Sequence, residues 1–292
     1  MNDFLLKINK CAKNYYRKII QFSIAILYNI NFVGFRDHKI YTGPIKNICV
    51  PGLNCYSCPG AIAACPIGSI QSVIAGKKYG VGFLQSIFLR FPIYVLGFVI
   101  LFGVIFGRVV CSFLCPFGLI QELLYKIKTP KIKKNFLTRK LTIIKYFILI
   151  VFVFILPIII NAPAFCKYIC PEGTLEAGIF HVAFNESLRE TIGVLFNLKL
   201  TILIIVVVFA ILHYRVFCKY VCPLGAIYSL FNNIAIFRIT VDKNLCINCN
   251  ACINSCLMDV KKVGDRECIE CGECIKVCPA SAIDRIKIIR KS

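Results

Sequence analysis

Cysteines are the residues of this chain whose number and spacing most clearly predict chemistry. The sequence holds 19 of them in 292 residues. Eight lie in two C-terminal runs with two, two and three residues between successive cysteines: Cys246, Cys249, Cys252 and Cys256, then Cys268, Cys271, Cys274 and Cys278. This spacing binds a pair of [4Fe–4S] clusters in bacterial proteins, and the fourth cysteine of each run binds the other cluster. We therefore assign Cys278 to the cluster of the first run and Cys256 to that of the second.

Structural zinc sites and disulfides are the other interpretations of these two cysteine runs. Zinc sites favour two well-separated cysteine pairs, and disulfides are rare in a reducing cytosol. Pro279 follows the last cysteine, as in bacterial ferredoxins, whereas Leu257 stands where a second proline is usual. That difference removes no ligand. The tail from residue 236 to 292 is accordingly predicted to be an α+β ferredoxin-like domain with two [4Fe–4S] clusters.

Four further cysteines each precede a Pro-x-Gly sequence, and apolar segments separate them: Cys65, Cys115, Cys170 and Cys222. The stretch from Arg108 to Gly118 returns in similar form from Arg215 to Gly225. Proline prevents the chain from continuing as a helix interior, and glycine permits a close backbone approach. We infer a unit of helix, Cys-Pro step, helix and Cys-Pro step that occurs twice.

The pairs Cys111/Cys115 and Cys218/Cys222 have a spacing of four, which places both thiols of a pair on one helical face. A single such pair is explained equally well by ordinary packing. Two equivalent pairs at one face supply four thiolates, the number that a [4Fe–4S] cluster needs. The sequence therefore predicts a cluster at the inner membrane face.

The remaining cysteines allow several partitions on the outer face. Repeat equivalence predicts an outer cluster held by Cys58, Cys65, Cys166 and Cys170. A rival partition is a self-contained site formed by Cys49, Cys55, Cys58 and Cys65. Disulfides are a third interpretation, and Cys11 is a lone thiol. One or two clusters are thus expected in the first 235 residues.

Membrane insertion is predicted by a mean hydropathy of +0.76 and an apolar content of 58%. Four stretches are long enough to cross a bilayer core of about 30 Å as helices. They are Ile19–Phe35, Leu89–Gly107, Leu141–Ile160 and Leu198–His213. Residues 1–235 are therefore predicted to form an α-helical domain of four transmembrane helices with a two-fold internal repeat.

The net charge of +21 is distributed as in a multi-pass protein of the cytoplasmic membrane. Lys and Arg are frequent in residues 1–18, in the 108–140 loop and in the tail, and scarce in residues 161–199. Basic loops stay in the cytosol, which places both termini there, although basic residues in the 36–90 segment weaken the pattern. These charges flank the apolar spans, where they contact membrane lipid, and form no patch with interleaved aromatics. Nucleic acid is therefore not an expected partner.

With Cys111-x3-Cys115-Pro116, Cys218-x3-Cys222-Pro223, four spans and two ferredoxin motifs, nearly the whole chain resembles the NapH/NosR-type membrane polyferredoxin family. The resemblance implies an electron-transfer subunit of an oxidoreductase system, with no catalytic residue of its own. It implies electron flow between the cytosolic side or the quinol pool and an extracytoplasmic redox partner. The additional outer cysteines favour a route through the protein to the outer face.

Three functions follow from these features. The first is a conduit between a cytosolic electron donor and an extracytoplasmic flavoprotein or reductase subunit. The second is a quinol dehydrogenase subunit of a periplasmic reductase system, with a bound quinone and only the inner clusters in use. The third is a redox-sensing or maturation protein. No Cys-x-x-Cys-His sequence occurs, which excludes c-type haem attachment.

Overall fold

The computed structural model describes residues 16–75, 93–132, 136–190 and 192–284, and these are mostly helical. The helices comprise residues 16–28, Phe32–Asp37, Pro66–Ile74, Ile93–Phe106, Val109–Phe113, Pro116–Tyr125, Thr138–Ile160, Phe165–Ile169, 171–184, Glu186–Glu190, Val194–Leu212, Val216–Tyr220, Pro223–Phe231, Ala251–Ser255 and Glu273–Lys276. Cys11, the start of the predicted Leu89–Gly107 span and the last eight residues lie outside the described part.

Two helices are long and apolar enough to cross a membrane: Thr138–Ile160 with 23 residues and Val194–Leu212 with 19 residues. In the most apolar 18-residue stretch of each helix, only 28% and 17%, respectively, is buried inside the chain. Large apolar side chains such as Phe147, Ile159 and Ile204 are instead exposed. A core helix of a soluble protein would hide such residues, so these surfaces support membrane association.

The other two predicted spans differ from expectation in what the structure describes. Residues 93–106 form an apolar helix of 14 residues. The predicted Ile19–Phe35 span is interrupted, because its helix ends at residue 28. The Asn29 amide donates to the Asn54 side chain, and the Asn31 amide donates to the Pro59 carbonyl. These two asparagines hold the chain against the following loop instead of continuing the helix.

Each of the four Cys-Pro steps begins a new helix in the structure. The cysteine has extended backbone angles and the proline is the first helical residue, as at Cys65, Cys115, Cys170 and Cys222. Proline is suited to this position because its fixed φ fits a helix and its missing N–H would be unpaired there anyway. The cysteine thiols therefore lie at helix N-termini, where the partial positive charge of the helix favours a thiolate.

The core is shared between both halves of the repeat and the tail. Phe117 of the first half and Phe217 of the second half pack edge to face with ring centroids 5.0 Å apart. Met258 and Ile269 of the tail belong to the same buried cluster. The tail also contains a two-stranded antiparallel sheet, in which Thr240–Val241 pairs with Ile283–Asp284.

Candidate metal centres

Four thiols from the two halves of the repeat are buried together: Cys111, Cys115, Cys218 and Cys222. Burial, and then the neighbouring thiols of Cys218 and Cys111, raise the pKa of Cys115 to about 12. Burial and the same two neighbours also raise the pKa of Cys222 well above its ordinary value. The structure thus brings together the four cysteines that the sequence grouped as the inner set, a name we keep below.

Two buried arginines cross between the halves beside the inner set. The Arg215 guanidinium donates to the Cys111 carbonyl at 2.5 Å, and that of Arg108 donates to the Cys218 carbonyl at 3.4 Å. Arg108 and Arg215 are repeat equivalents, and neither is exposed to solvent. Each half therefore holds the first cysteine of the other half in place and supplies positive charge beside the four thiols. The repeated Arg-Val-x-Cys sequence indicates that these arginines matter, but the sequence alone does not show which carbonyl each one binds.

The outer cysteines that lie together in the structure differ from the predicted set in one residue, which is Cys55 in place of Cys58. Burial, then the thiols of Cys55 and Cys65, raise the pKa of Cys170 to about 12. Burial and the thiols of Cys170 and Cys55 raise the pKa of Cys166. A Cβ added to Gly173 would lie 3.4 Å from the Cys55 sulfur, so this thiol packs against the Cys-Pro-x-Gly step of the second half. We call Cys55, Cys65, Cys166 and Cys170 the outer set.

Cys58 and Cys49 have other neighbours. The Cys58 N–H donates to the Cys55 carbonyl in a tight turn, and the Cys58 sulfur lies 3.6 Å from the Asn29 Oδ1 atom. The Cys49 sulfur lies 3.7 Å from the Ser69 hydroxyl. The turn explains why Cys55 replaces Cys58 in the set. Among the described residues the structure forms no disulfide, at the outer cysteines or elsewhere.

The inner and outer sets lie much closer together than the two faces of a bilayer. A Cβ on Gly52 would lie 2.6 Å from the Leu114 carbonyl oxygen, so only glycine permits this approach. The same Cβ would lie 3.1 Å from the Cys115 Cα atom, and the Leu53 backbone lies beside the Cys115 thiol. Leu53 and Cys55 are two residues apart, which limits their Cα separation to about 7 Å. The sequence had placed the two sets across a core of about 30 Å; the 52–55 loop instead joins them.

Tyr228 is the other residue between the two sets. It is fully buried, and its hydroxyl donates to the Pro51 carbonyl at 3.1 Å. Burial, and then the thiols of Cys111 and Cys65, raise the pKa of Tyr228 well above its ordinary value. Tyr228 therefore has cysteines of both sets as neighbours.

Neighbouring thiols link seven of the eight tail cysteines to the groups that their spacing predicted. Burial, then the thiols of Cys271 and Cys256, raise the pKa of Cys274 to about 12. These three line an apolar cavity with Cys268 and with Tyr214 of the preceding domain. In the other group Cys246 and Cys249 are the thiols beside Cys252. Cys278 is half-buried and follows the Glu273–Lys276 helix.

Ion pairs hold the tail against the inner set. Glu267, next to Cys268, pairs with Arg108 at 2.7 Å and with Lys145 at 2.5 Å. Asp259 forms two hydrogen bonds with the Arg139 guanidinium, at 2.9 and 3.0 Å. Arg108 thus contacts both the carbonyl of an inner cysteine and the carboxylate beside a tail cysteine.

A buried carboxylate also supports the inner set. Glu122 binds the Arg17 guanidinium through both oxygens, at 2.8 and 2.7 Å, and pairs with Arg215 at 2.7 Å. Burial alone would raise the pKa of Glu122, but the two arginines and the Tyr214 hydroxyl lower it to about 2. Arg17 and Arg215 therefore have a permanent counter-charge.

The donors fit iron–sulfur clusters. Each set offers cysteine thiolates, which are soft ligands suited to iron–sulfur chemistry. No three His, Cys, Asp or Glu side chains in the described ranges are arranged to hold a single metal ion. A [4Fe–4S] cluster carries four irons, each bound by one cysteine, and spreads its thiolates around a larger core.

Comparisons with known proteins agree with this donor set. A family model described as a 4Fe-4S binding domain matches residues 87–141, 144–189 and 198–241, and a second of the same description matches residues 263–284. The first model thus matches both halves of the repeat, and the second matches part of the tail. No solved structure is significantly similar to the chain.

Two uncharacterized proteins of Methanocaldococcus jannaschii are similar to it. One is 32% identical over 63% of this chain and 74% of its own length, and the other is 28% identical over 74% and 76%. The methylamine utilization ferredoxin-type protein MauN of Paracoccus denitrificans is 25% identical over 59% of this chain and 58% of its own length. The chain belongs to the 4Fe-4S binding domain family.

Proposed function

We propose that this protein is a membrane electron conduit that passes electrons between a cytosolic donor and an extracytoplasmic flavoprotein or reductase subunit. Its membership of the 4Fe-4S binding domain family and its similarity to a protein named as ferredoxin-type support electron transport. Each bound [4Fe–4S] cluster supplies a one-electron redox centre whose potential depends on its surroundings. The protein is an electron-transfer subunit and not a stand-alone enzyme.

Four groups of cysteines are proposed as ligands, one group for each cluster. The tail groups are Cys246, Cys249, Cys252 and Cys278, and Cys256, Cys268, Cys271 and Cys274. The inner set is Cys111, Cys115, Cys218 and Cys222, and the outer set is Cys55, Cys65, Cys166 and Cys170. The observation that carries the proposal is the contact of the inner set with both the tail and the outer set. Arg108 touches the tail and the inner set, and the loop at Leu53 joins the inner set to the outer set.

The membrane arrangement is proposed as four spans with both termini in the cytosol. The two long apolar helices and the Lys/Arg asymmetry of the loops support it. Cysteines introduced at exposed Lys128 and Glu186 test it by labelling with an impermeant reagent in intact cells. After subtraction of the parent signal, Glu186→Cys should be labelled and Lys128→Cys should not. The reverse pattern contradicts this topology.

Transfer across oriented liposomes tests the conduit directly. Protein carrying Cys170→Ser should fail to pass electrons from an enclosed inner reductant to an impermeant outer acceptor. Reduction of the tail clusters should survive, because their ligands are unchanged. Cys58→Ser is the matched control, since Cys58 lies outside the outer set, and it should transfer at the parent rate. Undiminished transfer by Cys170→Ser would contradict a route through the outer set.

One observation favours the quinol dehydrogenase function as a second candidate. An open pocket of about 490 Å³ lies beside Cys58. Its walls include Phe35, Phe180 and Phe184, with Asn29 and Glu176 as polar groups. Apolar walls with a few polar groups are typical of small-molecule sites, and this set suits a quinone ring. Reduction of the clusters by added quinol in purified protein, lost in Phe180→Asp, would favour this function.

A further inference from the structure

Two buried glutamines occupy matching positions after the two Cys-Pro-x-Gly steps of the first half. Gln71 and Gln121 each lie six residues after the cysteine of a Cys-Pro-x-Gly step, in Cys65-Pro-Ile-Gly-Ser-Ile-Gln71 and Cys115-Pro-Phe-Gly-Leu-Ile-Gln121. Their exposed fractions are 0% and 1%. A buried amide has two N–H donors and an acceptor oxygen to satisfy, so each glutamine needs a defined set of partners.

Each glutamine has three partners of the same kinds: a backbone N–H, a cysteine sulfur and a backbone carbonyl. The Gln121 oxygen accepts the Phe217 backbone N–H at 3.0 Å, and its nitrogen lies 3.1 Å from the Cys218 sulfur. The Gln71 oxygen accepts the Phe165 N–H at 2.8 Å, and its nitrogen lies 3.3 Å from the Cys166 sulfur. In each case the nitrogen also donates to a backbone carbonyl one turn earlier, at 3.3 Å for Gln121 and 3.1 Å for Gln71.

The orientation of each amide follows from these partners. A backbone N–H can only donate, so the amide group facing Phe217 or Phe165 must be the oxygen. The nitrogen is then directed towards two acceptors, the carbonyl and the cysteine sulfur. Both phenylalanines belong to a repeated Phe-Cys-Lys-Tyr-x-Cys-Pro sequence, at residues 165–171 and 217–223. The same hydrogen bond therefore reaches one sulfur of the outer set and one of the inner set.

We propose that Gln71 and Gln121 are positioning residues that raise the reduction potentials of the outer and inner centres by donating one amide N–H to a ligand sulfur. This proposal rests on the proposed function, because it requires clusters at both sets. Reduction adds negative charge to a cluster and its thiolates, so a hydrogen-bond donor stabilises the reduced form more than the oxidised form. Removing the donor should lower the potential of that centre.

The test is an EPR-monitored redox titration of purified full-length protein. The component missing from Cys115→Ser identifies the inner centre, and the one missing from Cys170→Ser identifies the outer centre. Gln121→Met should shift only the inner component and Gln71→Met only the outer one, each by about tenfold in the reduction equilibrium, or about 59 mV for a one-electron couple. Gln21→Met is the matched control, because buried Gln21 donates to the Cys115 carbonyl at 2.8 Å and should leave both potentials unchanged.

The outcomes separate this proposal from the proposed function. If Cys115→Ser and Cys170→Ser remove no component, the assignment of clusters to these sets fails. If the components exist but keep their potentials in the glutamine variants, only the role of the glutamines fails. The inner centre could be absent from Gln121→Met but present at an unshifted potential in Gln121→Glu. That result would mean that Gln121 only holds the Phe217 backbone in place, and it would overturn the proposal.

Discussion

Replacement of Cys55 should remove one cluster, whereas replacement of its neighbour Cys58 should remove none. The Cys55 thiol lies with the outer set, and its backbone N–H is held by the Glu176 carboxylate at 2.9 Å. Cys55→Ala therefore keeps the backbone contact and removes only the sulfur. Cys58→Ala removes a sulfur that lies 3.6 Å from the Asn29 Oδ1 atom.

The expected magnitude follows from the number of ligand sets. Four occupied sets correspond to about sixteen irons per chain. A [4Fe–4S] site that loses one of its four thiolates should be lost as a unit, so Cys55→Ala should retain about twelve irons. Cys58→Ala should retain the parent count, with at most a small loss of stability from the vacated volume.

Anaerobic iron and acid-labile sulfide assays on purified protein measure this difference, and EPR spectra identify the missing component. Loss of about four irons from Cys58→Ala with none from Cys55→Ala would refute the structural reasoning and restore the set derived from repeat equivalence. Loss from both variants and also from Cys49→Ala would favour the self-contained outer site.

Three further predictions concern the inner set and the tail. Cys115→Ser and Cys222→Ser should each remove the same EPR component and leave the tail's about eight irons; an unchanged iron count in both would mean that these pairs only pack. Glu122→Gln leaves two buried arginines without a counter-charge and should destabilise the protein by about 3–5 kcal/mol, measured by thermal unfolding in detergent. Because the pKa of Glu122 is lowered to about 2, the stability that its carboxylate contributes is complete above the unfolded pKa of about 4.3 and is lost as the pH falls towards 2. A difference in stability between parent and variant that persists at pH 2 would contradict an origin in the ionised carboxylate. Glu267→Gln should slow electron transfer from the tail to the inner set. The control Glu273→Gln, at an exposed ion pair worth at most about 1 kcal/mol, should not slow it. Equal rates in stopped-flow reduction would show that the Glu267 ion pairs do not position the tail against the inner set.

Some features of the candidate site could be predicted because they depend on residues close in the chain. The tail cysteines lie two or three residues apart, so their grouping follows from spacing. The start of a helix at each Cys-Pro step is likewise local, since proline constrains its own φ and its neighbour's. The inner set followed from the repeat, because equivalent segments of a two-fold structure meet at equivalent places.

Other features depend on contacts between distant residues. Repeat comparison singled out the segments that begin at Arg108 and Arg215, but each arginine binds a carbonyl more than a hundred residues away. Gln121 has its sulfur partner 97 residues away. No periodicity or spacing in the sequence predicts these pairs. Without a known partner, such a polar residue cannot be distinguished from an ordinary helix residue in the sequence.

The chain's cysteine spacing, prolines and apolar segments determined the chemistry of its centres, the helices that begin at them and the grouping of the inner and tail thiols. Only the tertiary structure decided that Cys55 replaces Cys58 and that the inner and outer sets adjoin. Both outcomes depend on how the 52–58 loop folds against Leu114 and Gly173. A tight turn directs neighbouring thiols to different partners, and a single glycine contact sets the distance between two sites.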